Sequence, residues 1–352
     1  MGNQCGCSKN EDPEVAARRL RNLIRIQAIA RSYIARRKLH ELRMQQFAQI
    51  FTGDRTNHQN AETWMLTQRI GPFDYKNYIA KDGQGRIFFP QFVKMEDGRT
   101  FKGQWLKRVS HKDGLGIMFW PDGTKYEGQF ASDRQNGFGR KIFSNGEFYI
   151  GNFQNDKANG FGVFQDLNGG KYEGMWRDDK QHGQGKEIWN NGAETYEGEF
   201  VEGKKNGKGK FSWSDGSYYE GDFVDGLFEG YGTYYFKESD KTFSGQFHDG
   251  KIDGEGEMKW GDGREYWGQF KDGKEDGEGT YRYPNGNLYI GKFKDGKMQG
   301  FAIFIDVEKQ TKRHGEWKEG KRTQWLSSPE AISTDGSPIK RLSHITQLHT
   351  TQ

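Results

Sequence analysis

The chain has 352 residues, with 53 Lys and Arg against 49 Asp and Glu, and a formal net charge of +4. Glycine supplies 50 residues and Phe, Tyr and Trp together 15%, which excludes a disordered chain, since that class is poor in aromatics and high in net charge. No run approaches 18 apolar residues, so no segment reads as a membrane-spanning helix, and glycine lacks the three-residue period of collagen.

Residues 1–12 (MGNQCGCSKNED) are small and polar, without the apolar stretch of a secretory signal. Both cysteines, Cys5 and Cys7, lie here and can staple no core. Asp12 followed by Pro13 is a helix start, because the Asp side chain can cap and Pro tolerates the first helical position. From Glu14 to Phe51 there is no Gly or Pro, which predicts one long helix over residues 13–52. Within it Ile26 and Gln27 are followed by Arg31, Ser32, Arg36 and Leu39, and Ile29, Tyr33 and Ile34 add apolar anchors at helical spacing. Basic residues surround them, Arg18, Arg25, Arg37 and Arg43 included, against Glu14 and Glu41 alone. A basic amphipathic helix suits the acidic, Met-lined groove of an EF-hand protein. The same composition also fits a helix docked on its own chain, or one lying on an anionic membrane.

Residues 53–98 form a linker and capping segment that carries Trp64, Ile70, Pro72, Phe73, Tyr75 and Tyr78. Residues 326–352, rich in Ser, Thr, Gln and His, are expected to be a disordered tail. Between them, over 99–325, the sequence repeats. An aromatic, a glycine and a second aromatic alternate at Phe101/Gly103/Trp105, Tyr126/Gly128/Phe130, Tyr172/Gly174/Trp176 and Tyr196/Gly198/Phe200. The central glycines continue to Gly291 and a worn tenth copy at Gly315, at steps of 23–25 residues. Gly-x-Gly follows most of them, as in Gly137/Gly139 and Gly254/Gly256. Asp122–Gly123, Asp215–Gly216 and Asn285–Gly286 mark hairpin apices of the tight-turn kind. The alternation puts Tyr196, Gly198 and Phe200 on one face and sends Glu197 and Glu199 to a wet one. The glycine between the aromatics leaves room for a neighbouring ring to lie over the backbone. The expected fold is therefore mainly β: an elongated single-layer antiparallel sheet of about ten hairpins, preceded by one long N-terminal α-helix.

These residues resemble the MORN family (membrane occupation and recognition nexus), whose repeat has the form YxGxWxxGxxxGxGxxxxxxG. The copy from Tyr172 through Gly174 and Trp176 to Gly183 and Gly185 follows it closely. Asp240 lacks the following Gly, Asn191–Gly192 carries one extra residue before Tyr196, and the last copy has lost most glycines. The resemblance implies a scaffold or dimerisation platform, hence a homodimer among its partners, and phospholipid binding has been attributed to the family. The helix resembles the IQ motif, IQxxxRGxxxR, with Ser32 at the glycine position, which implies calmodulin, a centrin or a light chain as partner. Met1–Gly2 resembles an N-myristoylation signal with Gly6 where Ser or Thr is usual. Palmitoylation of Cys5 and Cys7 would supply the second signal that stable anchoring needs. An acylated head, an IQ helix and this repeat together resemble protist MORN proteins of the cell cortex or cilium.

Gly291–Lys297 and Gly268–Lys274 imitate a phosphate-binding P-loop, but Met298 and Glu275 follow where Ser or Thr is required. The eight histidines, His40, His58, His111, His182, His248, His314, His344 and His349, show no pair at metal-ligand spacing. No catalytic group, metal, cofactor or nucleic-acid partner is expected. The sequence points to a non-catalytic scaffold on the cytosolic side of a membrane, with an EF-hand protein on the helix and cytoskeletal or ciliary proteins on the repeats. A structural part of the axoneme or cytoskeleton and a phosphoinositide-binding module are the alternatives.

Overall fold

The computed structural model describes residues 85–332 except Lys107, and everything expected of residues 1–84 and 333–352 lies outside the described residues. The described chain is built of β-hairpins, without an α-helix among the described residues. It divides after Glu187 into two units.

The N-terminal unit holds β1 (Arg86–Lys94), β2 (Thr100–Leu106), β3 (His111–Phe119), β4 (Lys125–Ala131), β5 (Arg134–Ile142), β6 (Phe148–Gln154), β7 (Lys157–Gln165), β8 (Lys171–Arg177) and β9 (Lys180–Trp189), which begins in it. From β1 to β8 each strand pairs antiparallel with the next. β1 falls within the stretch expected to be linker and cap, and its register shifts between Phe89 and Val93, around Pro90. Pro offers no amide hydrogen to a ladder and is confined to edges and bulges.

The C-terminal unit opens on a 3-10 turn (Asn190–Gly192) in which Asn191 takes a left-handed backbone, so the extra residue noted in the sequence is absorbed in the turn. There follow β10 (Glu194–Val201), β11 (Lys204–Ser212), β12 (Tyr218–Val224), β13 (Leu227–Phe236), β14 (Lys241–His248), β15 (Lys251–Trp260) and β16 (Glu265–Lys271). The unit ends with β17 (Lys274–Arg282), β18 (Leu288–Lys294), β19 (Lys297–Asp306), β20 (Thr311–Lys318), β21 (Lys321–Trp325) and β22 (Glu330–Ala331). Neighbours in sequence again pair antiparallel, and β20 takes both β21 and β22. β22 places strand structure inside the stretch expected to be tail.

Two kinds of turn alternate. At one end of most hairpins both turn residues have positive φ, as at Ser132–Asp133 (48° and 69°), Glu202–Gly203 (51° and 86°) and Asp272–Gly273 (47° and 82°). This is the two-residue turn whose twist suits paired strands. From the sequence that geometry was expected at Asp122–Gly123 and its equivalents, and there the structure differs. Trp120 donates its amide to the Thr124 carbonyl (2.9 Å), Gly123 donates to the Trp120 carbonyl (3.0 Å), and of the two residues Gly123 alone has positive φ. The loop is wider by a residue or more, and the Asp122 carboxylate steadies it by accepting from the Thr124 amide (2.9 Å). Short turns also bond to the hairpin before them: the Asp156 amide donates to the Gln135 carbonyl (3.0 Å) and its carboxylate accepts from the Gln135 amide (2.8 Å).

In each unit a row of buried rings runs along one face. Tyr126 meets Phe130 of its own strand and Phe153 of the next copy, each edge-to-face at 5.1 Å between centroids. In the second unit Tyr196 meets Phe200 (5.1 Å) and Phe223 (5.0 Å), and Tyr289 meets Phe293 (5.2 Å) and Trp317 (5.0 Å) in the same way. Edge-to-face contact sets the positive rim of one ring on the negative face of another, worth about 0.5–1.5 kcal/mol per pair beyond burial. Each of these tyrosines touches two copies, so no copy is packed alone.

Candidate interaction surface

The nine repeat residues singled out in the sequence form this ring row and its floor. Tyr126, Tyr172, Tyr196, Phe130 and Phe200 are buried, and Trp176 is half-buried with its indole N–H donating to the Gly162 carbonyl (3.2 Å). Gly128, Gly174 and Gly198 lie beneath the tyrosine two residues earlier in their own strand, each opposite a glycine of the next strand: Gly139, Gly185 and Gly209. A side chain at Gly128 would put its Cβ 2.5 Å from the Gly139 Cα and 2.6 Å from the Tyr126 hydroxyl. The ring over the backbone is therefore the strand's own tyrosine, spread across two paired glycines, where the sequence suggested a neighbour's. Each tyrosine hydroxyl then donates to the carbonyl three residues on, as Tyr126 does to Gln129 (2.9 Å) and Tyr196 to Glu199 (3.0 Å). Burial pushes the Tyr126 phenol well above its ordinary range, which keeps it a donor at any physiological pH.

The other Gly of each Gly-x-Gly serves a bulge. Gly128 pairs with Gly139 but Phe130 pairs with Gln135, so the strand carries extra residues there, and Gly137 takes φ +96°. The Gln129 side-chain oxygen closes the bulge by accepting from the Phe138 amide (2.7 Å). Gln104 and Gln246 do the same for Leu115 and Glu255 (2.7 Å each).

With the rings committed to one another, the opposite face is the one whose side chains are not used in packing the row. In the C-terminal unit it is the wet face expected: Glu197, Glu199, Lys208, Glu220, Glu255 and Glu278 are exposed or half-exposed. In the N-terminal unit the same repeat positions are closed. Glu127, the counterpart of Glu197 and Glu220, is 3% exposed and lies between Lys125 (Nζ to Oε1, 2.6 Å) and Arg140, which binds the other oxygen through Nε (2.9 Å) and Nη2. Burial alone raises a carboxyl, but the Arg140 and Lys125 charges outweigh it and hold Glu127 at about 2. Such acids were expected on a solvated face, and for Glu127 that is corrected. A partial signal was present: the residue inside Gly-x-Gly is Leu115, Phe138 or Phe161 in the first copies, against Lys208, Glu255 and Glu278 later, although Tyr231 and Phe301 interrupt the later series.

The P-loop imitations are strand, primed turn and strand, with Asp295–Gly296 between β18 and β19, and present no helix N-terminus to a phosphate. Glu229, His248 and Asp249 bring ligand-type atoms within 4.8 Å of one another at an exposed turn. They satisfy each other: His248 Nδ1 meets Glu229 Oε1 at 3.0 Å, and that hydrogen bond raises the imidazole above its ordinary value. Gly2, Cys5, Cys7, Ile26, Gln27, Ile29, Arg31, Tyr33, Ile34, Arg36 and Leu39 lie outside the described residues.

Hairpins stacked by ring rows over glycine pairs define a β-hairpin repeat protein. The model of the MORN repeat matches nine times, over 111–125, 126–148, 149–171, 172–194, 196–218, 219–241, 243–263, 266–288 and 289–307. The chain belongs to the MORN-repeat family, whose members are in general membrane-associated or protein-binding. Among the described residues no helix is long and apolar enough to cross a membrane. Curated proteins contain no match. Among solved structures, a variant of the TCP10 domain of Danio rerio CPAP is 12% identical with a TM-score of 0.33, over 59% of this chain and 99% of that one. The TCP domain of Drosophila melanogaster SAS-4 is 14% identical with a TM-score of 0.19, over 48% of this chain and 90% of that one. At such scores the likeness carries over neither function nor partner.

Proposed function

We propose that the chain is a non-catalytic scaffold, held at the cytosolic face of a membrane by acyl groups on Gly2, Cys5 and Cys7, that binds a calmodulin- or centrin-like EF-hand protein through the IQ stretch and other proteins through its repeats. The observation that supports the scaffold reading is the division of labour between faces: Tyr196, Gly198 and Phe200 are buried while Glu197 and Glu199, on the same strand, are exposed. A surface of this kind, built by repetition, offers many equivalent contact positions and no single reacting centre.

The EF-hand partner is assigned to residues 13–52 because Ile26, Ile29 and Ile34 suit one lobe's groove while Arg31 and Arg36 meet its acidic rim. The test is capture of calmodulin and of centrin by the full chain, in calcium and in chelator. The wild type is expected to bind in both conditions. The double variant Ile26→Ala with Gln27→Ala is expected to lose about 2–4 kcal/mol of affinity, as loss of central anchors does. Arg36→Ala loses less, and its effect fades as salt rises. No capture by the wild type, or undiminished capture by the double variant, sinks the assignment. Gly2→Ala is expected to move the protein from the membrane to the soluble fraction, and an intact mass showing a free N-terminus rules the anchor out.

A further inference from the structure

A single-layer sheet that commits one face to packed rings leaves the other to water, unless something lies on it. In the N-terminal unit something does. Leu115 is 4% exposed, Phe138, Ile150 and Phe161 are each 5% exposed, and Ile142 is fully buried, all on the face opposite the rings. Their counterparts in the second unit include Lys208 and Glu255 for Phe138, Lys259 and Arg282 for Ile142, and Glu220 for Ile150, and all of these are exposed. The contrast is chemical as well as geometric at most of these positions, where a ring or a branched aliphatic in one unit is replaced by a charge in the other; the exceptions in the second unit are Tyr231 and Phe301, which are exposed, and Ile305, which is buried in the last copies. The described strands and turns of the N-terminal unit form one layer and supply no second.

We propose that this face seats residues 61–79 of the same chain, folded against β3, β5, β6 and β7 as a second layer. Reach selects this segment. Five residues, 80–84, separate it from Gly85, where the described chain begins and leads into β1, the strand beside β2. Five residues span at most about 16–18 Å, close to the three or four strand spacings of about 4.8 Å that separate β1 from β4 and β5. Composition agrees: Trp64, Met65, Leu66, Ile70, Phe73 and Tyr78 offer the large apolar surface that Phe138, Ile142 and Ile150 require. Charge decides against the basic stretch before it. The buried group on this face brings two cations, Lys125 and Arg140, beside the one carboxylate of Glu127, and residues 13–52 are strongly basic. Residues 61–79 are balanced, with Glu62 and Asp74 against Arg69 and Lys76. The tail after Ile332 has no aromatic to contribute.

The test uses the full chain with the photo-crosslinker p-benzoylphenylalanine in place of Phe138, prepared as a mixture of isotopically light and heavy protein. Irradiation is expected to join position 138 to a peptide within 61–79 of the same isotopic form. Attachment to residues 13–52, to the tail or to a second copy overturns the proposal, and so does the absence of a crosslink. Amide exchange of the unsubstituted protein gives an independent reading. Residues 64–78 are expected to exchange at least about 100-fold more slowly than an unstructured chain, and exchange at the unstructured rate overturns the proposal. In the double variant Ile142→Asp with Ile150→Asp that protection is expected to fall at least about tenfold, while β14–β18 keep theirs. Unchanged protection at 64–78 in the double variant counts against the seat.

Discussion

Glu127→Gln is expected to destabilise the N-terminal unit by about 3–5 kcal/mol, the range for breaking a buried ion pair from one side. Glu127, Lys125 and Arg140 are all at most 5% exposed, and the two cations meet opposite oxygens of one carboxylate. Glutamine keeps the shape but takes away the negative charge between the two buried cations. Glu220→Gln is the matched control: it occupies the same repeat position, and its exposed ion pair with Lys210 (3.2 Å) is worth at most about 1 kcal/mol. The pH dependence has a definite sign. Glu127 is depressed to about 2, so the stability drawn from its charge is complete above the unfolded carboxyl value near 4.5 and is lost as pH falls towards 2. Urea unfolding, with amide exchange in β4 and β5 as the local reading, should show a gap between wild type and variant that is constant from pH 7 to about 4.5 and then closes. Equal stability at pH 7 would mean that the triad is solvated.

What the sequence made legible follows from period. Tyr196, Gly198 and Phe200 fall on one face because side chains alternate along a strand, and ten copies at 23–25 residues leave no other fold class. Pairing between strands was out of reach. Gly198 faces Gly209 only because a primed turn at Glu202–Gly203 starts the ladder and the bulge at Gly207 then absorbs two residues of β11. A repeat pattern records both glycines without saying that they touch. Nor could the motif alone separate Glu127 from Glu220, since both stand in Tyr-Glu-Gly. Their difference comes from residues on other strands: Phe138, Ile142 and Ile150 exclude water around Glu127, whereas Lys210 and Glu220 share an open face. Burial at Glu127 is set by these neighbours, which the Tyr-Glu-Gly pattern does not record.

Gly198→Val is expected to cost the C-terminal unit about 3 kcal/mol or more, at the upper end of what overpacking costs. The first carbon of any side chain there lies 2.5 Å from the Tyr196 hydroxyl, 2.6 Å from the Gly209 Cα and 2.7 Å from the Lys208 carbonyl oxygen. Two of the three obstacles are backbone of the paired strand and cannot turn aside. The third can move only by lifting the Tyr196 ring, which breaks its hydroxyl bond to Glu199 and its edge contacts with Phe200 and Phe223. Because the Tyr196 ring joins two copies, the damage should pass from β10–β11 into β12 and not stop at one hairpin. Gly203, five residues on, separates this effect from any general intolerance of glycine replacement. It has φ +86°, a Cβ there would meet nothing within 4 Å, and Asp133 and Asp156 hold the equivalent turn position with φ +69° each. Gly203→Asn, a residue that tolerates the left-handed region, is therefore expected to cost less than about 1 kcal/mol. Thermal and urea unfolding of the two variants beside the wild type decide the matter: similar losses at both positions would remove the glycine pair from the account of how the rings are seated.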